Sequence, residues 1–373
     1  MKPISLYDRT YAFNGVYIML MTNRLQMLYF FIILPMYLIH PYMFWGIIGV
    51  GILSQLNLIL LSKWFQSEYS KKGYQGFIEL IGKRMVRFFS FLGLFFILLK
   101  LIVIVLGYAE IVEQFIFPSM NSKWLILLIL LVCFYVASQG MEKTIGFAVI
   151  AFFCTAWLIL LFYIFFLPPN ASVYDLYPLI PFDWPDGSWK SLLLIWSSLS
   201  GPEYLICLAT WLKPNQNFLK YLSFANAMTI LEYLLIFIAS LLFFGADYLR
   251  FSKFPIVHLA RYLQFPFIER IDIILISVLL FNAIFAGALF LLYFYGGLKI
   301  AASKLNKQSS KVGFYACFII IFICLYLSDE WLSQFGMEQS VLLNIQIWSG
   351  ALTYLLVPSF LFSVMKRKGR EKT

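Results

Sequence analysis

Ser197-Ser198-Leu199-Ser200-Gly201-Pro202-Glu203 lies at the centre of an apolar segment, Ser191 to Trp211, that is long enough to cross a bilayer. Crossing the hydrocarbon takes about 20 apolar residues in a helix. Here Pro202 removes a backbone donor, Gly201 loosens the chain, and Glu203 puts a carboxyl where charge is costly. Non-helical backbone at that depth is tolerated only against protein or a water-filled cavity. The stretch predicts a broken membrane helix with a charge at its break, and with it a binding site inside the membrane.

The surrounding chain has the same character. Of its 373 residues, 62% are hydrophobic and 12% charged, with a mean hydropathy of +0.85. A soluble domain usually carries about 25% charged residues. The expected fold class is an all-α integral membrane protein, with residues 1–373 forming a single transmembrane domain. Ten spans are expected, at about 11–34, 42–62, 88–109, 124–141, 145–167, 191–212, 219–245, 271–298, 312–328 and 340–365. The first is not expected to be a cleavable signal peptide, because Asn23 and Arg24 interrupt it and no small-residue cleavage site follows.

A net charge of +10 invites a nucleic-acid reading, but the placement of the charge argues against it. Twenty of the 28 Lys and Arg residues lie on alternate connections and at the termini, six on the other connections, and two, Arg24 and Lys100, inside spans. The positive-inside rule then places both termini in the cytoplasm. The basic tail 366–373 is expected against anionic headgroups. Only the connection 246–270 blurs the pattern, with Arg250, Lys253, Arg261 and Arg270 on the expected outer side.

The connection 63–87 reads as a basic cytoplasmic loop with a short amphipathic helix. The turn-rich connection 168–190 reads as an outer loop. The segments Phe254-Pro255 and Phe265-Pro266-Phe267 predict short interfacial helices in the third long connection. Cys133, Cys154, Cys207, Cys317 and Cys324 all fall in apolar spans and read as core residues. His40 and His258 have no metal-ligand spacing, and no metal or cofactor is expected. No nucleophile–base pair, phosphate loop or dinucleotide fingerprint is present, so an enzyme is not expected.

A positional symmetry adds to the central stretch. The first span has its own polar interruption, Thr22-Asn23-Arg24 with Gln26, and one and six are corresponding members of two five-span halves. Interrupted segments at matching positions point to a transporter-type site. Free N–H groups at a half-helix end attract a carboxylate, and free carbonyls attract an ammonium or a cation. The candidate ligand-binding residues are Asn23, Arg24, Gln26, Ser200, Gly201, Pro202 and Glu203.

The charges within spans carry open alternatives. Arg24 reads as a carboxylate clamp or an ion partner for Glu203, or as a side chain that snorkels to an interface. Glu203 reads as an acceptor for an amino group or a proton-titrating carboxyl, or as a structural group bonding the loosened backbone. Lys100 reads as a substitute for a coupling cation, or as one half of a salt bridge to Glu110 or Glu232. Lys100 and Glu232 are thus candidates for charge coupling. Asp272 is expected at an interface with Arg270.

At Gly201-Pro202-Glu203 the chain resembles the amino acid–polyamine–organocation permeases, which unwind this helix around a Gly-x-Glu element. The segment Phe254-Pro255-Ile256-Val257-His258-Leu259-Ala260-Arg261-Tyr262, with Phe267-Ile268-Glu269-Arg270-Ile271-Asp272, resembles the region before the eighth span in permease-like B subunits of bacterial spore germinant receptors. Ile4-Ser5 and the chain length agree. The resemblance implies a LeuT-like 5+5 inverted repeat with broken helices one and six. It also implies a place in the spore inner membrane beside an A subunit and a lipoprotein C subunit. The implied ligand is a small nutrient, commonly an amino acid, held against residues 23–27 and 200–203. The first-span break departs from the glycine-rich form common in permeases.

Three functions fit these residues. One is a receptor subunit that senses a nutrient at the membrane midplane. Another is a secondary amino-acid transporter, proton-coupled through Glu203 or Lys100. The third is a membrane scaffold that has lost its ligand.

Overall fold

The computed structural model describes residues 6–180, 188–213, 216–263, 269–303, 309–333 and 340–370. Among the described residues, eight helices are long and apolar enough to cross a membrane. A further span is the pair Gly15–Gln26 and Tyr29–Tyr37, bent by 48° at its break. The apolar helix Ser122–Ser138 is shorter, at 17 residues, yet rises about 25 Å, near the lower limit for spanning. Together these make ten spans in the expected order. The protein is a multi-pass integral membrane protein.

The second span is Met43–Gln66, the third Lys83–Phe115, the fourth Ser122–Ser138 and the fifth Met141–Phe166. The sixth is Ser188–Trp211, the seventh Phe218–Leu249, the eighth Ile271–Ala301, the ninth Lys311–Ser333 and the tenth Val341–Arg370. Most limits fall within a few residues of their expected places; the third span runs on further at both ends, and the ninth and tenth run on further at their C-terminal ends. Two details differ from a continuous-helix reading. The fifth span ends in a 3₁₀ turn, Phe162–Phe166, and the second half of the sixth is a 3₁₀ helix over Pro202–Trp211. An apolar run looks the same in either helix type, so composition could not separate them.

The eighth span forms the axis of the bundle. Every residue from Asn282 to Tyr295 is buried, as a helix that is apolar all round requires. It packs most extensively against the third span and also covers the fourth and fifth. The seventh span packs on the first and second, and the tenth on the second and sixth. The first and sixth spans therefore run through the interior.

The connections sort to two ends. At one end Thr10 bonds Glu142 through its backbone N–H at 3.1 Å, and Phe13 and Leu212 form a short parallel bridge. At the other, the Ser172 N–H donates to Leu242 O at 2.8 Å, and Lys253 pairs with Glu110. The connection 63–87 contains the short helices Glu68–Lys71 and Tyr74–Ile81. The connection before the eighth span contains the helix Pro255–Arg261. The expected second helix at Phe265-Pro266-Phe267 lies outside the described residues, as do Ile4-Ser5 and the last residues of the basic tail.

Gly245 bends the seventh span. Its φ of 71° and ψ of 166° lie outside the helical region, where an L side chain is strained. The bend sets the end of this span beside Asp175 of the outer connection.

Candidate functional site

The first-span break leaves carbonyl groups without helical partners, and the seventh and eighth spans supply them. Tyr233 OH donates to Gln26 O at 2.6 Å. Asn282 Nδ2 donates to Arg24 O at 3.2 Å and also to Met27 O. A helix end buried in the membrane needs such partners, since water is absent.

The sixth-span break is stitched to the first. Gln26 Nε2 donates to Leu199 O at 2.9 Å, and Tyr233 OH reaches Ser198 O at 3.3 Å. Gly201 is required here by close approach. A Cβ on it would meet Leu25 Cβ at 2.8 Å and the Leu25 carbonyl at 3.1 Å. The two interrupted segments thus touch at their breaks. All seven candidate residues lie within this region, and all are buried.

Two charged clusters flank the contact. In one, Arg24 Nη2 lies 3.1 Å from Glu232 Oε1. Asn23 Nδ2 donates to Glu232 Oε2 at 2.8 Å and to Thr229 Oγ1 at 2.9 Å. Thr229 Oγ1 donates in turn to Gln26 Oε1 at 2.9 Å. Arg24 also bonds Thr155 of the fifth span and lies over the Phe152 ring, 5.0 Å from its centroid.

In the other cluster, Lys100 Nζ donates to Ser200 O at 2.6 Å and to Ser200 Oγ at 2.9 Å. Ser200 Oγ donates to Glu203 Oε1 at 2.8 Å, and the Gly201 N–H donates to Glu203 Oε2 at 2.7 Å. Thr353 of the tenth span reaches Glu203 Oε1 at 3.4 Å.

These pairings correct two expectations. Arg24 pairs with Glu232 rather than Glu203, and at 1% exposure it does not snorkel. Lys100 bonds neither Glu110 nor Glu232, because Lys253 holds the first and Arg24 the second. The bond from Gly201 N–H shows Glu203 in the backbone-bonding role named as its structural alternative. Asp272 pairs with Arg270 at 2.8 Å as expected.

Sequence reading missed Thr155, Thr229, Tyr233, Asn282 and Thr353. Asn282 carried a usable signal, being a lone amide in Leu279-Leu280-Phe281-Asn282-Ala283. The hydroxyl residues carried none, since they are ordinary in membrane helices, where their groups can bond the same helix's backbone.

Two small cavities adjoin the breaks. One of about 20 Å³ lies beside Arg24, Thr155 and Glu232, and is closed by Phe162 and Ile256. The other, about 10 Å³, lies between Gln26, Tyr29, Lys100, Ser200 and Gln346. Each has space for about one water molecule. Neither has room for a solute larger than water.

Comparison with known proteins places this geometry. In overall fold the chain is similar to MhsT, solved in complex with L-phenylalanine, with a TM-score of 0.65 at 12% identity over 94% of this chain and 88% of that one. It is similar to a Na⁺-coupled sialic acid symporter with a TM-score of 0.63 at 14% identity, covering 92% of this chain and 78% of that one. A manganese transporter from Eremococcus coleocola gives 0.58 at 12% identity, covering 96% and 82%. The fold is thus the LeuT-like 5+5 inverted repeat with broken helices one and six. By sequence, the chain is 28% identical over 201 residues to the spore germination protein GerQB of Bacillus cereus. That match covers 54% of this chain and 55% of the relative, so the chain spans about half the length of the curated relative it matches. The family of spore germination proteins matches residues 42–331, most of the chain, and this protein belongs to that family.

Proposed function

We propose that this chain is the nutrient-sensing subunit of a spore germination receptor, seated in the spore inner membrane beside an A subunit and a lipoprotein C subunit. A small nutrient binds at the midplane, against Asn23, Arg24, Gln26 and Ser200 to Glu203. The resemblance implies that such nutrients are commonly amino acids. The observation that carries this reading is the direct contact of two broken spans, at Gly201 against Leu25 and at Gln26 on Leu199 O.

The small size of these cavities supports a sensing cycle. A nutrient needs more room than about 20 Å³, so binding selects a conformation in which the half-helices have moved apart. A ligand shifts such an equilibrium only by its differential affinity for the two states. The contacts between the two breaks, Gly201 against Leu25 and Gln26 on Leu199 O, are the ones that change. Partner subunits read the shift.

Spores lacking this chain, screened across single nutrients, test the proposal. Loss of the response to one nutrient is the expected result. An unchanged response to every nutrient sinks it.

The second reading is a secondary transporter, favoured by the transporter folds of its structural neighbours. Uptake of labelled solute into liposomes by the purified chain alone would establish it.

A further inference from the structure

Both ends of the sixth-span break are held by the chain's own charges. The Ser200 carbonyl, where a cation would sit, accepts from Lys100 Nζ at 2.6 Å. The Gly201 N–H, where an anion would sit, donates to Glu203 Oε2 at 2.7 Å. Ser200 Oγ bridges the two, 2.9 Å from Lys100 Nζ and 2.8 Å from Glu203 Oε1. Lys100, Ser200 and Glu203 are all buried. One ammonium and one carboxylate, the charged ends of an amino acid, are thus built into the break.

The first-span break is saturated in the same way. Its charge, Arg24, faces Glu232, and the carbonyls of Arg24, Gln26 and Met27 are taken by Asn282 and Tyr233. A free amino acid entering here would have to displace these partners. Lys100 and Glu203 would then lie unpaired in the membrane interior, where an uncompensated charge is strongly disfavoured.

The polar capacity left open is uncharged. The cavity beside Lys100 is also lined by Gln346 of the tenth span and walled by Tyr29 and Phe30. Gln346 is 2% exposed, and its Oε1 has no hydrogen-bond partner. A buried amide oxygen calls for an O–H or N–H donor, and aromatic walls suit the apolar face of a small ring.

We infer that the nutrient taken by this site is an uncharged solute bearing hydroxyl or amide donors, and that Lys100 and Glu203 set this specificity by occupying the places of an amino acid's charged ends. The inference rests on the reading that the paired breaks hold the nutrient.

Equilibrium binding to the purified full-length chain in detergent tests it, with labelled L-alanine and L-phenylalanine as a small and a large zwitterion. The wild type binds neither. The double variant Lys100→Met/Glu203→Gln, which frees both ends without leaving a lone charge, gains binding of at least one by about tenfold or more. Binding of either amino acid by the wild type overturns the inference, as does a monodisperse double variant that binds neither. If the double variant does not fold, Gln346→Leu spores decide. They should lose a response to an uncharged nutrient among D-glucose, D-fructose and myo-inositol. Loss of an amino-acid response instead, or no loss at all, overturns the inference. Failure of the underlying site reading looks different: Gly201→Ala would then leave every nutrient response intact.

Discussion

Arg24 and Glu232 form an ion pair at 3.1 Å in the membrane interior, with exposures of 1% and 4%. Removing one partner of a buried pair leaves the other uncompensated, at a cost of about 3–5 kcal/mol. Replacing both by apolar groups of similar volume is often neutral. Arg24→Met alone is therefore expected to lower the thermal stability of the purified protein sharply, and Arg24→Met/Glu232→Leu to restore most of it. A double variant no more stable than the single one would show that the pair is not a coupled unit. Gly201 makes a different prediction, since the first Cβ atom is already too large. Gly201→Ala must move Leu25 Cβ, now 2.8 Å from the added atom's position, and so parts the two breaks. The expected result is a weakened nutrient response at normal expression, and a full response would show that the contact is dispensable. Part of this was legible in the residues themselves: a charge or proline inside an apolar run announces itself. Which charge meets which was not legible, because pairing depends on helix rotation, and Arg24 turns toward the fifth and seventh spans rather than the sixth.

Among the elements, the broken first span depends on the eighth. Asn282 caps the carbonyls of Arg24 and Met27, so Asn282→Ala leaves buried acceptors unsatisfied. The expected loss is about 1–3 kcal/mol, read as a lower unfolding midpoint in detergent, and an unchanged midpoint would mean that other donors replace the amide. The short helix Pro255–Arg261 makes a pH prediction. Burial, and then the neighbouring Arg261 charge, hold the His258 imidazole below its ordinary value of 6.5. The unfolded chain therefore takes up the proton more readily than the folded one as the pH falls. This contribution to stability is complete above about 6.5 and is lost as the pH falls toward the folded value. Wild type should show a lower unfolding midpoint at about pH 5.5 than at about pH 7.5, and His258→Gln should reduce that drop. An identical drop in the variant would assign it elsewhere. The existence and order of the spans could be read because long apolar runs force them. The 3₁₀ geometry after Pro202 could not be, because side-chain hydropathy says nothing about which carbonyl each N–H selects.

For the whole molecule, the charge pattern predicts orientation, and the structure accounts for its one irregular region. The connection 246–270 carries four basic residues on the side expected outside. Three of them are held by carboxylates: Lys253 by Glu110, and Arg261 and Arg270 by Asp272. These charges serve local ion pairs, and the alternation of the remaining basic residues predicts cytoplasmic termini. That orientation would put Lys71 inside and Ser172 outside, and both positions are exposed. A Ser172→Cys variant in intact cells should therefore react with a membrane-impermeant thiol reagent, while Lys71→Cys should react only after permeabilisation. The native cysteines all lie within spans and give a low background. The reverse labelling pattern would invert the molecule. It would place the helix Pro255–Arg261, which closes the cavity beside Arg24 through Ile256, on the cytoplasmic face. A nutrient arriving from outside the membrane would then meet the opposite end of the bundle, where Phe13 and Leu212 bridge the first and sixth spans. Orientation thus decides which half-helices must part first for the site to open.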